Sequence, residues 1–355
     1  MKIAETIDGN YLMFKNAFIM KGVKADDEIS ENDGNKISFE SYSNLLYNDF
    51  KRIINLYNFD VIFFVYEKGS SWRKDIYKDY KGNRKKDESI DWNEIYRRFD
   101  MFLQQAQIDY PNIHFIQIDK CEGDDLILYL TLLLNNKNYS NVIISKDEDL
   151  TQLLKFESGL YLNVQLTMNK ADERIYLPLN YNYFLNNLNI HKKDYFDMTD
   201  DEIFDLDYNN NNGYKGFIDK MISKCKLYEI LPNNIRAFKI IHGDTGDNVK
   251  SVYIKKTVKD DVEKFRGIGE AGAEKILKYY IETYGNISDV NSEDFINKIV
   301  NVVSYDKKIV DDETKALIKE NTIRNRQLVV LDPIYTPEYV KNNIKVKMKE
   351  INKFI

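Results

Sequence analysis

The stretch KCEGDDLILYLTLLLNNKNYSNVIISKDEDLT, residues Lys120 to Thr151, decides the fold. Glu122, Asp124 and Asp125 open a segment in which Leu126, Ile127, Tyr129, Leu130, Leu133 and Leu134 recur at helical spacing. Asn138 and Asn141 mark a turn region, Val142, Ile143 and Ile144 read as a short buried strand, and Asp147 and Asp149 lie just past its end. Five carboxylates thus gather at one rim of a helix–strand pair. In open α/β sheets the carboxyl ends of the strands are where ligands bind. Two carboxylates about 4 Å apart repel by roughly 4 kcal/mol at an effective dielectric of about 20, against a domain stability of only about 5–15 kcal/mol. Such a cluster needs divalent cations, raised pKa values or water between its members. Oxygen-only donors favour Mg2+ or Mn2+. A plainer reading stands beside this one: acids that cap a helix and decorate a loop, favoured in a first turn by the macrodipole.

Toward the N-terminus the same texture repeats. Lys2 to Ile7 reads as a strand with Asp8 at its end in IDGN, Gly9 and Asn10 as a turn, and Tyr11 to Phe18 as a helix. Phe39 to Tyr57 has helical periodicity, Val61 to Val65 is an apolar run suited to a buried parallel strand, Trp92 to Gln107 is amphipathic, and His114 to Ile118 is another strand. These alternations predict a mostly parallel sheet covered by helices on both faces. Leu160 to Val164 and Arg174 to Leu177 are expected as short edge strands.

Between Lys68 and Lys86 lie eight basic residues (Lys68, Arg73, Lys74, Lys78, Lys81, Arg84, Lys85 and Lys86) and two acids, Asp75 and Asp79. Trp72, Tyr77 and Tyr80 are interleaved with them. Basic residues track phosphates and aromatic faces stack on bases, although a charge run on its own is also an ordinary solvated loop.

Beyond about residue 190 the texture changes, and a domain boundary is placed there. Asp197 to Asp207 and the Asn209 to Asn212 run read as an exposed insertion. Ile235 to Ile241 is helical and ends at HGDTGDN, which carries Asp244 and Asp247. FRGIGEAGAEKIL then places Gly267, Gly269 and Gly272 at a helix start, where backbone N–H groups form an anion site.

The 355 residues, 43% hydrophobic, suffice for one large or two modest domains. No apolar run is long enough to span a bilayer, and the N-terminus lacks a signal-peptide pattern. The two cysteines, Cys121 and Cys225, make neither a disulfide framework nor a metal-ligand spacing, so a cytoplasmic setting is expected. The net charge of −6 argues against a general nucleic-acid binder, but the local basic stripe argues for one.

Taken in order, IDGN, WRKDIYKDYKGNR, EGDD, SKDEDL, GDTGDN and GIGEAGAEKIL resemble the 5′-nuclease family of flap endonucleases and 5′-to-3′ exonucleases, nearest in type to the primer-removing ribonuclease H branch of T-even phages. The resemblance covers most of the chain. It implies a PIN-like α/β nuclease domain over residues 1–190, a helical arch at about 67–100, and a DNA-binding helical domain over 191–355 with a helix–three-turn–helix motif. It assigns two Mg2+ or Mn2+ ions to Asp8, Glu122, Asp124, Asp125, Asp147, Asp149, Asp244 and Asp247. Arg73, Lys81 and Arg84 would face the scissile phosphate. Lys74, Tyr80, Lys85, Lys86, Gly267, Gly269 and Lys275 would contact nucleic acid, with K+ at the glycine turn. The implied partners are DNA with a 5′ flap or an RNA primer and a single-stranded DNA-binding protein, and the implied state is a monomer.

One position departs from the pattern. Where the family carries an Asp at the end of the second strand, this chain has Tyr66, followed by Glu67. Neighbouring strand residues face opposite ways, so Glu67 replaces that Asp only if the strand end re-aims it. The stretch from Lys250 to Phe265 is also longer than the family pattern. The function expected is metal-dependent hydrolysis of phosphodiester bonds at 5′ ends or flaps. The alternatives are a flap-binding protein with weakened catalysis and, last, an aspartyl-nucleophile phosphatase.

Overall fold

A computed structural model describes residues 2–22, 39–157, 161–167, 173–179, 226–259 and 262–355. The Asp197 to Asp207 and Asn209 to Asn212 stretches lie outside them. Packing divides the chain into two units. The first comprises Met1–Ser70, Lys85–Ile230 and Glu338–Ile355, and the second comprises Ser71–Arg84 and Leu231–Pro337.

The first unit is built on β1 (Lys2–Asp8), β2 (Val61–Val65), β3 (Ile113–Ile116), β4 (Tyr139–Ile144), β5 (Phe156–Glu157), β6 (Tyr161–Thr167), β7 (Arg174–Pro178) and β8 (Lys226–Ile230). Their order is β3-β2-β1-β4-β6-β7-β8, with β5 paired to β6. The first five of that order run parallel, and β7 runs antiparallel to β6. The two stretches expected at an edge therefore lie inside the sheet, because β8 adds a strand beyond them.

Helices α1 (Gly9–Gly22), α2 (Phe39–Ile54) and α4 (Trp92–Asp109) pack on one face. Phe50, Phe64 and Phe102 form its aromatic centre, with ring centroids 5.2–5.8 Å apart. No turn separates β1 from α1, which starts directly at Gly9. A Cβ there would lie 2.4 Å from the Phe64 ring and 2.9 Å from the Val65 carbonyl oxygen, so glycine lets the helix begin against β2. Helix α5 (Gly123–Asn136) covers the other face through Leu126, Ile127, Leu130 and Leu134, and ends before Asn138 in the left-handed region.

The second unit holds α3 (Arg73–Ile76), α6 (Pro232–His242), α7 (Glu270–Tyr284), α8 (Glu293–Lys307) and α9 (Asp312–Val329). Its core includes Ile240, Ile276, Phe295, Ile299 and Tyr80. The residues expected to arch, about 67–100, hold the four-residue helix α3, then turns tied to the 245–248 loop and, from Trp92, the start of α4. Lys81 N–H donates to the Asp247 carbonyl at 2.9 Å, and Asn248 Nδ2 donates to the Asp79 carbonyl at 2.9 Å. The long stretch after GDTGDN is an antiparallel hairpin of β9 (Ile254–Lys259) and β10 (Val262–Gly267).

The C-terminal helix α10 (Glu338–Ile351) belongs to the first unit, not the second. Val340, Ile344, Met348 and Ile351 are buried at helical spacing, and the helix contacts α5.

Candidate active site

The parallel register brings three strand ends to one edge. Asp8 pairs with Val65, and Ile7 pairs with Ile144. Asp8, Glu67 and the Ser145–Asp149 segment therefore emerge side by side, with the N-terminus of α5 beside them. Asp8 is buried. Its Oδ1 accepts the Tyr11 N–H at 3.0 Å, and its Oδ2 accepts the Ser145 hydroxyl at 2.7 Å. The same Ser145 oxygen accepts the Asp147 N–H at 3.1 Å, and Asp147 Oδ1 accepts the Asp149 N–H at 2.9 Å. Gln165 Nε2 donates to the Ser145 and Asp147 carbonyls, fixing this corner from β6.

The Tyr66 departure is answered by strand alternation. Tyr66 N–H donates to the Ile116 carbonyl at 3.0 Å, so pairing with β3 continues past β2. The Tyr66 ring packs on the aromatic face against Phe99 and Phe64. Glu67 faces the other way. Its N–H donates to Asn10 Oδ1 at 2.8 Å, and its Oε2 accepts the Gly123 N–H at 3.0 Å. The positive end of α5 thus receives a carboxylate from the second strand.

The electrostatics are those of acids that raise one another. Burial is the largest cause raising Asp8 to about 6. Hydrogen bonds from Tyr11 and Ser145 oppose it, and the Asp147 and Glu67 charges add to it. Asp124 is pushed well above the usual carboxylate range, first by burial and then by Asp147, Asp8, Glu122 and Asp149. Six acids therefore feel one another here: Asp8, Glu67, Glu122, Asp124, Asp147 and Asp149. All six offer hard oxygen donors, the set that suits Mg2+ or Mn2+, and raised carboxyls are what a divalent cation would relieve. Among the described residues no three acid, His or Cys side chains close on a single ion as they stand. The donors fit the cation by chemistry, and the Asp8, Glu67 and Asp147 carboxylates accept protein hydrogen bonds.

Three expected residues sit differently. Asp125 is 1% exposed and closes a capping box: its Oδ2 accepts the Glu122 N–H at 3.3 Å while the Glu122 side chain returns to Asp125 N–H. It shapes the start of α5 instead of facing the rim. Asp244 and Asp247 belong to the second unit and are engaged there. Lys239 Nζ lies 2.9 Å from Asp244 Oδ2, and Asp247 Oδ2 accepts the Tyr80 hydroxyl at 2.5 Å and ion-pairs with Arg84. Burial of Asp244 is outweighed by Lys239 and by the Asp247 and Gly246 N–H groups, so its pKa is lowered.

The basic stripe divides in the same way. Arg73, expected at the scissile phosphate, is buried. Its Nε donates to the Leu328 carbonyl at 2.9 Å, and its guanidinium lies 4.4 Å from the Trp72 ring centroid. It is an anchor, because a buried guanidinium needs acceptors for its N–H groups. Lys81 holds φ +56°, with Nζ 5.3 Å from the Tyr80 ring centroid. Arg84 Nε donates to the Gly246 carbonyl at 3.2 Å. Lys74, Lys85 and Lys86 are exposed, Lys86 over the Tyr96 ring.

In the glycine turn, Ser251 Oγ accepts the Ile268 N–H at 2.9 Å and donates to the Tyr253 carbonyl at 2.7 Å. A Cβ on Gly267 would meet that oxygen at 2.6 Å. Gly269 is the exposed N-cap of α7, and Lys275 is paired with Asp306 at 2.7 Å. Sequence reasoning missed Ser145, Asn10 and Ser251, whose types are too common to signal a role without long-range partners.

Residues 5–176 match the 5′-3′ exonuclease, N-terminal resolvase-like domain. A curated 5′-3′ exonuclease of Mycoplasmopsis pulmonis (strain UAB CTIP) is 24% identical over 318 residues, covering 89% of this chain and 78% of that one. Among solved structures, a bacteriophage T5 flap endonuclease pseudo-enzyme-product complex with DNA and metal ions aligns with TM-score 0.56 at 17% identity, covering 99% of each chain. The T5 5′-exonuclease with divalent zinc bound aligns with TM-score 0.55 at 18% identity, again over 99% of each chain. The matched 5′-3′ exonuclease domain runs from β1 to β7, and the chain shares the fold of these solved structures along its whole length.

Proposed function

We propose that this chain hydrolyses phosphodiester bonds at 5′ ends or flaps of duplex DNA or RNA–DNA, with two divalent cations, in the removal of replication primers. One observation carries the reading: six mutually repelling carboxylates at the carboxyl ends of parallel strands, with Asp8 and Asp124 raised by burial and by their neighbours. A protein that only binds nucleic acid gains nothing from a negative rim facing phosphate.

Asp8, Glu67, Glu122, Asp124, Asp147 and Asp149 would hold the cations, with Asp244 and Asp247 assigned to the same metal pair by resemblance. The ions, when bound, supply Lewis-acid activation of water and charge for the leaving oxygen. Ser145 orients Asp8 and Asp147 by hydrogen bonds, as partners behind metal-binding carboxylates do. Lys81 and Arg84 would neutralise charge building on the phosphate. A single-stranded DNA-binding protein as partner, a monomeric state, K+ at the glycine turn and a cytoplasmic setting are finer parts of the same reading. No helix among the described residues is long and apolar enough to cross a membrane.

The test is cleavage of an end-labelled 5′-flap duplex with Mg2+, with and without chelator. The wild type should cut only with the cation. Asp124→Asn should lose cleavage by about 10²-fold or more, the scale of losing one preorganised charge contact, while still binding the flap. Normal turnover by that variant removes the assignment. Binding without cleavage by the wild type would instead support the weakened-catalysis alternative.

A further inference from the structure

The β9–β10 hairpin lies between the 244–249 loop and the glycine turn, in the stretch that exceeds the family pattern. Its antiparallel register sets Arg266 directly opposite Lys255, and Phe265 opposite Lys256. Directly opposed residues share one face of a hairpin, and residues two apart share it too. One face therefore carries Lys255, Lys264 and Arg266, all exposed. The other carries Lys256, ion-paired with Glu263 and 5.9 Å from the centroid of the 66% exposed Phe265. The two faces differ in kind: one pairs Lys256 with Glu263, while the other sets Arg266 against Lys255 in register. Like charges directly opposite destabilise a strand pair, so the Lys255–Arg266 pair carries a cost that a bound polyanion would relieve. Its two levels of cation, Lys255 with Arg266 and then Lys264, lie about 7 Å apart at the usual strand rise of about 3.4 Å per residue. That is about twice the roughly 3.4 Å axial repeat of phosphates along one duplex strand. The hairpin ends at Gly267, Ser251 holds the N–H of the next residue, Ile268, and the exposed Gly269 caps α7.

We propose that the Lys255–Lys264–Arg266 face is an additional grip on the sugar–phosphate backbone of the substrate's double-stranded arm. It would lengthen the footprint of the glycine turn without reading sequence. This inference rests on the proposed nuclease function for the identity of the polyanion. Its test is kept separate by measuring binding without catalysis.

The full chain and a Lys255→Gln, Lys264→Gln, Arg266→Gln variant would be titrated against a fluorescent 5′-flap duplex in chelator, across a salt series. The variant should bind about tenfold or more weakly at low salt, and its slope of log affinity against log salt should fall by about 2 to 3, near one for each lost phosphate contact. Phe265→Ala, on the opposite face, should keep the wild-type slope. With Mg2+ the triple variant should show a raised KM and an unchanged kcat. Equal affinities and slopes for wild type and triple variant would overturn the proposal and leave the basic face to another partner, such as an acidic protein. Wild-type binding with the expected slope but no cleavage would sink the nuclease reading while leaving the grip standing.

Discussion

Two acidic regions of the molecule are written in the same alphabet and end in opposite electrostatic states. At the strand-end rim of the first unit, Asp8 and Asp124 are raised because their neighbours are other carboxylates and a buried wall. In the GDTGDN loop of the second unit, Asp244 is lowered because Lys239 sits 2.9 Å away. Asp247 likewise meets Arg84 and Tyr80. The role of an aspartate is thus set by what faces it. Acids facing acids are raised, while an acid facing Lys is lowered.

The largest test of that contrast is the Asp124→Asn loss of cleavage described above, which should come with a gain in cation-free stability. Relieving a raised carboxyl is worth about 1.4 kcal/mol per pKa unit. Ser145→Ala comes next. Without its hydroxyl, Asp8 and Asp147 lose their shared partner, and Mg2+ affinity should fall about 10- to 100-fold, read by calorimetric titration of the folded protein. Unchanged affinity would make Ser145 a bystander.

Glu5 sharpens the comparison from inside the sheet. It is fully buried, its two carboxylate oxygens have no hydrogen-bond partner, and burial raises its pKa well above normal. A carboxyl raised in the folded state contributes stability below its unfolded pKa, near 4.5, and loses it as pH climbs through the folded value. Glu5→Met should therefore raise the unfolding free energy, read from urea melts, by about 1–3 kcal/mol, the scale of an unsatisfied buried polar group. The gain should be largest at alkaline pH, and a gain constant with pH would exclude this cause.

Asp244→Asn is the smallest effect and has the opposite sign. Asp244 is lowered, so its contribution is present above its unfolded pKa, near 3.8, and fades as pH falls through the folded value. Removing it should cost about 1 kcal/mol at pH 7, discounted for partial exposure, and progressively less at an acidic pH below the unfolded value. Denaturant melts at the two pH values decide it.

Much of the first unit was legible because its signals are local. Acids stand immediately after apolar runs or before periodic ones, and helical spacing in Leu126 to Leu134 fixes which face is buried. Asp8 and Asp147 could thus be placed at strand ends from their neighbours alone. Other features needed partners far along the chain. Arg73 reads as a phosphate ligand until the Leu328 carbonyl, 255 residues on, accepts its Nε. Asp125 has the look of a ligand, yet its oxygen is taken by the Glu122 N–H. Tyr66 and Glu67 could be ranked only once the Phe99 ring showed which face each occupies. The hairpin was hidden because Lys-rich strands lack the apolar alternation that marks a strand.

Helix α10 packs on α5, the helix whose first turn supplies Glu122 and Asp124. Between them in sequence lies the whole described part of the second unit beyond residue 230. During synthesis, the back of the acid-bearing helix stays uncovered until residue 351 has left the ribosome. Helix α10 completes the support of residues made more than two hundred codons earlier. The helix that backs Glu122 and Asp124 thus follows the described second unit in the order of synthesis.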